Sequence, residues 1–279
     1  MPRHSEGATS TARDAPTEPG TRLDRLGWPA TGVLVTGGGS GIGRETALAL
    51  AEVGRPVAVW DVNADGAEET ASLCRERHGV VADWSILDVA DTSVVEEAVP
   101  RTAEALGSLG GFVHAAGVPG AVPLDLLDDE VWDATLNVNL RAAAVISRLV
   151  IEPFRQAGPG SAVVLISSIE GLFGSSYLTA YCASKSGILG VMRSIAHRFA
   201  IEGFRVNAVC PGAVATPMLA PAFELPGFRQ QLEERTPLKR VSSPDEIARP
   251  IRFLLSEEAS FVTGTYLVVD GGLTSITAI

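Results

Sequence analysis

The chain of 279 residues and 29.1 kDa sets 22 Lys and Arg against 33 Asp and Glu, a formal net charge of -11, which argues against nucleic acid as a partner, because phosphate-backbone binders present a basic face. Hydrophobic residues at 46% and charged residues at 20% are globular values, and a chain this long buries roughly three quarters of its unfolded surface around one core. Three cysteines, Cys74, Cys182 and Cys210, without a CxxC pair suggest neither a disulfide framework nor a zinc site, so no metal is expected.

Residues 1–28 scatter Arg and acidic side chains among Ser, Thr, Pro and Gly with almost no apolar periodicity, and are expected to form a flexible N-terminal tail. They lack the apolar stretch of a secretory signal, and no run approaches the roughly 18 apolar residues of a membrane span. A soluble, cytoplasmic protein without a membrane partner is therefore expected. Over 29–279, apolar runs at 32–36, 56–60, 80–87, 111–116, 162–167, 204–209 and 265–269 read as strands. Helical patterns at 42–54, 64–79, 92–106, 129–156, 181–202 and 244–256 lie between them. Gly54, Gly79 and Gly203 stand where left-handed C-caps would fall, and Ser243 before Pro244 reads as an N-cap and first helical residue. The alternation predicts a single doubly wound α/β domain with a parallel seven-stranded sheet flanked by helices. Its longest interruption, 216–243, holds four prolines and is read as a lid or substrate loop.

The first strand runs into Thr36-Gly37-Gly38-Gly39-Ser40-Gly41-Ile42-Gly43 and then a helix. Glycines in such a turn let the backbone approach a pyrophosphate, whose charge is met by N–H groups at the helix start, as in Rossmann-type domains. No Gly-Lys-Ser/Thr follows, which excludes a Walker loop. Asp61 ends the second strand, near the ~20-residue spacing expected of the acid that takes ribose hydroxyls. A carboxylate there repels a 2′-phosphate, and neither Ser40 nor Val62 is cationic, so NAD is expected and NADP is disfavoured. Tyr181 and Lys185 project from one helix face a turn apart. An ammonium about 4 Å from the phenol favours phenolate by roughly 4 kcal/mol at an effective dielectric near 20, which would bring Tyr181 toward neutrality. Ser168 closes the fifth strand, at the sheet edge where such folds bind ligands.

These motifs together resemble the short-chain dehydrogenase/reductase family, from about Thr31 to the end of the chain. Thr36, Gly37, Gly41 and Gly43 match its T-G-x-x-x-G-x-G cofactor loop, and Asp88 in Leu87-Asp88-Val89 its adenine-contacting Asp. Tyr181 and Lys185 match Y-x-x-x-K, Ser168 the catalytic Ser, and Asn139 in Asn137-Val138-Asn139-Leu140 the proton-relay Asn. Pro211, Gly212, Val214 and Thr216 match P-G-x-x-x-T, and Val269-Asp270-Gly271-Gly272 the terminal V-D-G-G. One departure stands out: the family's N-N-A-G is here His114-Ala115-Ala116-Gly117. His114 reads as structural, and altered local hydrogen bonding is expected there.

The resemblance implies reversible hydride transfer between a nicotinamide and a secondary alcohol or ketone. Tyr181 would be the acid/base, Ser168 would orient the reacting oxygen, Lys185 would hold the nicotinamide ribose, and Asn139 would anchor a water. The cofactor would lie along Thr36, Gly37, Gly39, Ser40, Gly41, Ile42, Gly43, Asp61, Asp88, Val89, Ala116, Gly117, Pro211, Gly212, Val214 and Thr216, beside Tyr181 and Lys185. Leu172, Phe173, Met218, Leu219, Phe223 and Phe228 fall in the segments after the catalytic strand ends and suggest a small apolar or cyclic substrate. Glu170 reads as a partner for a substrate amine or hydroxyl, or more simply as a locally bonded carboxylate. The alternatives are an NADPH-dependent 3-oxoacyl or polyketide-type ketoreductase, which Asp61 disfavours, and a lyase or isomerase that keeps its NAD. A non-catalytic dinucleotide-binding regulatory protein would not need the Ser168, Tyr181, Lys185 and Asn139 set. The family implies a homotetramer or homodimer, and the apolar end 273–279 is consistent with burial at such an interface or equally with packing on its own subunit.

Overall fold

The computed structural model describes residues 22–274. Strand β1 (Gly32–Thr36) is buried at all five positions, because helices cover both faces of the sheet it centres. The others are β2 (Val57–Asp61), β3 (Ala82–Ile86), β4 (Leu109–His114), β5 (Ala162–Ile166), β6 (Arg205–Pro211) and β7 (Tyr266–Val269). All pair in parallel in the order β3-β2-β1-β4-β5-β6-β7. The expected seven strands are therefore present, β1 with the expected ends and the others with ends shifted by at most two residues.

Strand alternation splits the core in two. Leu34, Trp60, Phe112, Leu165 and Val206 face one side, where they meet α4 (Thr92–Ala105), α6 (Ala142–Leu149), α7 (Ile151–Ala157) and α8 (Thr179–Ala200). Val33, Val35, Val59, Val113 and Val164 face the other, under α2 (Gly41–Ala51), α3 (Ala64–His78) and α11 (Pro244–Leu255). Gly79 caps α3 with φ 68°, and Ser243 with Glu246 forms a capping box on α11. Two buried arginines donate to the last carbonyls of α11: Arg55 to Leu255, and Arg205 to Leu254 at 2.6 Å. The order reverses between β1 and β4, which opens a crevice at their C-terminal ends.

Two expectations need correction. The helix expected over 129–156 is broken into α5 (Asp129–Leu136), a π-turn (Asn137–Arg141), α6 and α7, with a 44° bend before α7. Pro153 lacks an N–H and its ring would strike the Leu149 carbonyl in a continuous helix, so it is accommodated in the first turn of a new one. The tail expected over 1–28 ends too late, because Arg22–Gly27 form helix α1 and the Trp28 carbonyl accepts the Glu257 N–H at 2.8 Å. Residues 1–21, and 275–279 of the apolar end, lie outside the described residues. The loop over 216–243 carries α9 (Ala220–Phe223) and α10 (Phe228–Arg235), joined through Gly227 at φ 75°. Among the described residues no single helix is long and apolar enough to cross a membrane.

Candidate active site

The glycine turn sits at the mouth of the β1/β4 crevice. Gly37 has φ 65°, and a Cβ there would lie 2.6 Å from Ala116 N. A Cβ on Gly43 would collide with the Gly37 carbonyl oxygen, so the first turn of α2 packs on the loop only as glycine. Ser40 caps α2 in extended conformation without a side-chain bond, which leaves the first-turn N–H groups to a ligand. Asp61 reaches the loop from β2: its Oδ2 accepts the Gly39 N–H at 2.8 Å and its Oδ1 the Asn63 N–H at 2.9 Å. Asp88 lies past β3 with its carboxylate on the Ala90 N–H, beside buried Val89.

A cation does stand at this corner, contrary to the reading of Ser40 and Val62. Arg44, one turn into α2, donates to the Gly39 carbonyl at 2.8 Å and to Glu69 at 2.6 Å. Its position was legible, since it follows Ser40 by four residues on a helix. The donor set of this loop, an uncapped helix start, close-packed glycines and a carboxylate one strand away, fits a dinucleotide.

The remaining elements close around Gly117. A Cβ on Gly117 would lie 3.3 Å from Asn139 Oδ1, 3.6 Å from Lys185 Nζ and 3.8 Å from Met218 Cε. Asn139 is fully buried on the π-turn; its Oδ1 accepts the Val118 N–H at 2.8 Å, and its Nδ2 donates to the Val118 carbonyl and to Ser184 Oγ, each at 3.0 Å. Ser184 in turn donates to the Tyr181 carbonyl at 2.7 Å. This serine, inside the Y-x-x-x-K stretch, ties Asn139 to α8 and was not singled out from sequence. Such π-turns recur where a side chain must leave the regular helical face.

Ser168 follows β5 and is almost buried; its Oγ accepts the Glu170 N–H at 3.1 Å, and its hydroxyl pulls the Tyr181 phenol down. Lys185 donates to the Ile166 carbonyl at 2.8 Å, and its Nζ sits 5.4 Å from the Tyr181 ring centroid. Burial lowers the Lys185 pKa to about 8. Burial also pushes Tyr181 up to about 12, against the pull of the Ser168 hydroxyl and with the Glu170 carboxylate adding to the rise. Against the expectation that the phenol is drawn toward neutrality, burial is the largest influence on Tyr181 and raises it. Glu170, half-buried, accepts the Cys182 thiol at 3.8 Å, and its pKa is raised by burial.

Pro211 ends β6, and Gly212 just after it donates to the Val269 carbonyl at 3.0 Å. Val214 pairs with Ser242 at the root of the 216–243 loop. Thr216 touches the glycine turn, since a Cβ on Gly41 would lie 3.2 Å from its Cγ2. Leu172, Leu219, Phe223 and Phe228 are half-buried, with Phe173 and Met218 exposed.

A phenol under the influence of a serine hydroxyl and beside a buried lysine, one crevice away from a phosphate-ready glycine turn, is an arrangement suited to a nucleotide-dependent oxidoreductase. Residues 37–274 match the family model described as Enoyl-(Acyl carrier protein) reductase. The chain is 40% identical to a cis-4-hydroxycyclohexanecarboxylate dehydrogenase of Sinomonas cyclohexanicum, across 87% of this chain and 96% of that one. It is 35% identical to a 3-oxoacyl-[acyl-carrier-protein] reductase of Thermotoga maritima, across 86% and 96%. The crystal structure of levodione reductase superposes with a TM-score of 0.84 at 32% identity, covering 89% of this chain and 99% of that one. The chain belongs to the short-chain dehydrogenase/reductase family and is an oxidoreductase of alcohol and ketone groups, in a family that uses NAD(P).

Proposed function

We propose that the protein interconverts a secondary alcohol and a ketone on a small, apolar, cyclic substrate with NAD(H). The Tyr181 phenol, pulled down by the Ser168 hydroxyl and with Lys185 Nζ 5.4 Å from its ring centroid, carries this reading. Ser168 orients the reacting oxygen; Tyr181 gives it a proton in reduction and takes one in oxidation. Lys185 holds the ribose side of the site, and Asn139 fixes the Val118 loop against α8. When bound, the nicotinamide supplies the hydride chemistry.

The choice of NAD rests on Asp61, whose carboxylate occupies the Gly39 corner. The apolar residues of the 216–243 loop, and the cyclic alcohol named for the 40% relative, support the substrate class. An acyl-carrier substrate is supported by the 35% relative. It is opposed by charge, because a carrier of acidic character would meet a chain of net -11 whose Arg240 is already paired with Glu246 and whose Lys239 is bonded to the Glu234 carbonyl. A homo-oligomer formed along the β7 edge is supported by exposed Phe261, Tyr266 and Leu267.

The test is turnover of cyclohexanol and cyclohexanone against a 3-oxoacyl thioester, with NAD(H) and NADP(H) compared, by absorbance of the reduced nicotinamide. Turnover of the ring substrates with NAD(H), lost in Tyr181→Phe, is the expected result. Turnover of the thioester alone with NADPH would overturn it.

A further inference from the structure

The family's first N-N-A-G asparagine is replaced by His114, which lies outside the proposed proton path yet touches two parts of the site. Parallel pairing sets His114 beside Thr36, the first residue of the glycine turn. Both side chains are fully buried, and His114 Nδ1 lies 3.0 Å from Thr36 Oγ1. On the other edge of the ring, Nε2 lies 3.0 Å from the Val138 carbonyl oxygen, inside the π-turn and one residue before Asn139.

These partners fix the tautomer. A carbonyl oxygen only accepts, so Nε2 carries the proton and donates to Val138. Nδ1 is then the acceptor, and the Thr36 hydroxyl donates to it. That leaves the Thr36 oxygen free to accept from the Ala116 N–H, which lies 3.4 Å away. One directed chain therefore runs from Ala116 through Thr36 and the imidazole to Val138, and it spans the crevice between β1 and β4. A protonated ring would have two donors and would lose its Thr36 bond. Burial and the neighbouring Lys185 ammonium both oppose that state.

We propose that His114 is a positioning residue: a neutral imidazole that locks the cofactor turn, through Thr36, to the π-turn that carries Asn139, through Val138. The proposal rests on the dehydrogenase reading for its kinetic arm only. Its two bonds can be separated, because an asparagine amide reaches only to the Nδ1 edge of the ring and a glutamine amide only to the Nε2 edge. His114→Asn keeps a partner for Thr36 and releases Val138; His114→Gln keeps Val138 and releases Thr36.

Three measurements test it. In protein labelled with 15N histidine, one of the four His signals, the one that His114→Gln removes, shows a protonated Nε2 and a bare Nδ1 from about pH 5 to about 9. A ring that titrates in this range, or that is protonated on Nδ1, overturns the proposal without any substrate in hand. NADH titration by fluorescence then shows His114→Gln weakened more than His114→Asn, by about tenfold for one lost buried hydrogen bond. Steady-state kinetics with cyclohexanol show the reverse order in kcat, His114→Asn losing more. Equal losses in both quantities for both variants, which a merely structural role would give, overturn it. Absence of turnover by the unmodified protein refutes the dehydrogenase reading and leaves the ring spectrum and the NADH arm to decide this one.

Discussion

Asp61→Asn is the sharpest test of the cofactor assignment, because the two roles of this carboxylate have different magnitudes. A phosphate charge about 4 Å from a carboxylate is opposed by roughly 4 kcal/mol at an effective dielectric of 20 and about 1 kcal/mol in water. For a half-buried group the working figure is about 2 kcal/mol, or roughly thirtyfold in the NADH to NADPH preference. The structural role is smaller. Asp61 accepts two backbone N–H groups, from Gly39 and Asn63; an amide oxygen keeps one of them, and the loss is about 1 kcal/mol, a fall of roughly 2–4 °C in Tm. Fluorescence titrations with NADH and NADPH should show the preference collapse chiefly through tighter NADPH binding. Arg44 is already held at the Gly39 carbonyl, at the same corner as Asp61, and would be available to a 2′-phosphate once the carboxylate is gone. Arg44→Ala in the Asp61→Asn background should therefore reverse the NADPH gain. A lowered Tm with an unchanged preference would show that Asp61 only braces the turn, and the NAD assignment would fall.

Tyr181→Phe should lower kcat by about 10² to 10⁴ while NADH affinity stays within a few fold, since the ring and its packing remain; stopped-flow binding with steady-state kinetics separates the two. Gly43→Ala drives a Cβ into the Gly37 carbonyl oxygen and should abolish NADH binding, with a Tm lowered by several degrees in a thermal melt. His114 is held down to about 3 against an ordinary 6.5, so the unfolded chain binds the extra proton between those values. Its contribution to stability is full above about pH 6.5 and falls by up to about 1.4 kcal/mol per pH unit below it. Urea midpoints at pH 7.5 and 5 should converge in His114→Asn; an unaltered gap would contradict the buried neutral ring.

The parts of this protein that could be read in sequence are those fixed by local pattern. Strands covered on both faces are short apolar runs bounded by turns, so all seven were visible, and the glycine turn and the Tyr181–Lys185 spacing are matters of neighbours along the chain. The parts that could not be read depend on what the fold brings near. Nothing in Asn137-Val138-Asn139-Leu140 signals a π-turn, though Pro153 does mark the bend that follows. Arg44 was visible as a residue but not as a neighbour of Asp61, because that adjacency runs through the Gly39 backbone. His114 was recognised as a departure, while its two partners come from other strands and turns.

The Tyr181–Lys185 pair shows most plainly why spacing alone misleads about chemistry. Four residues of separation put the two groups on one face, and a coulombic sum then favours phenolate. Folding adds the term that the sum omits: both groups lose water, and desolvation favours the neutral form of each. Burial raises the phenol and lowers the ammonium. The residues alone therefore hold Tyr181 as a proton donor at neutral pH. In the proposed oxidation, the positive charge of an oxidised nicotinamide would favour Tyr181 acting as a base. The Ser168 hydroxyl pulls the phenol down, so in the proposed reaction Ser168 would bear on the proton as well as on the orientation of the reacting oxygen.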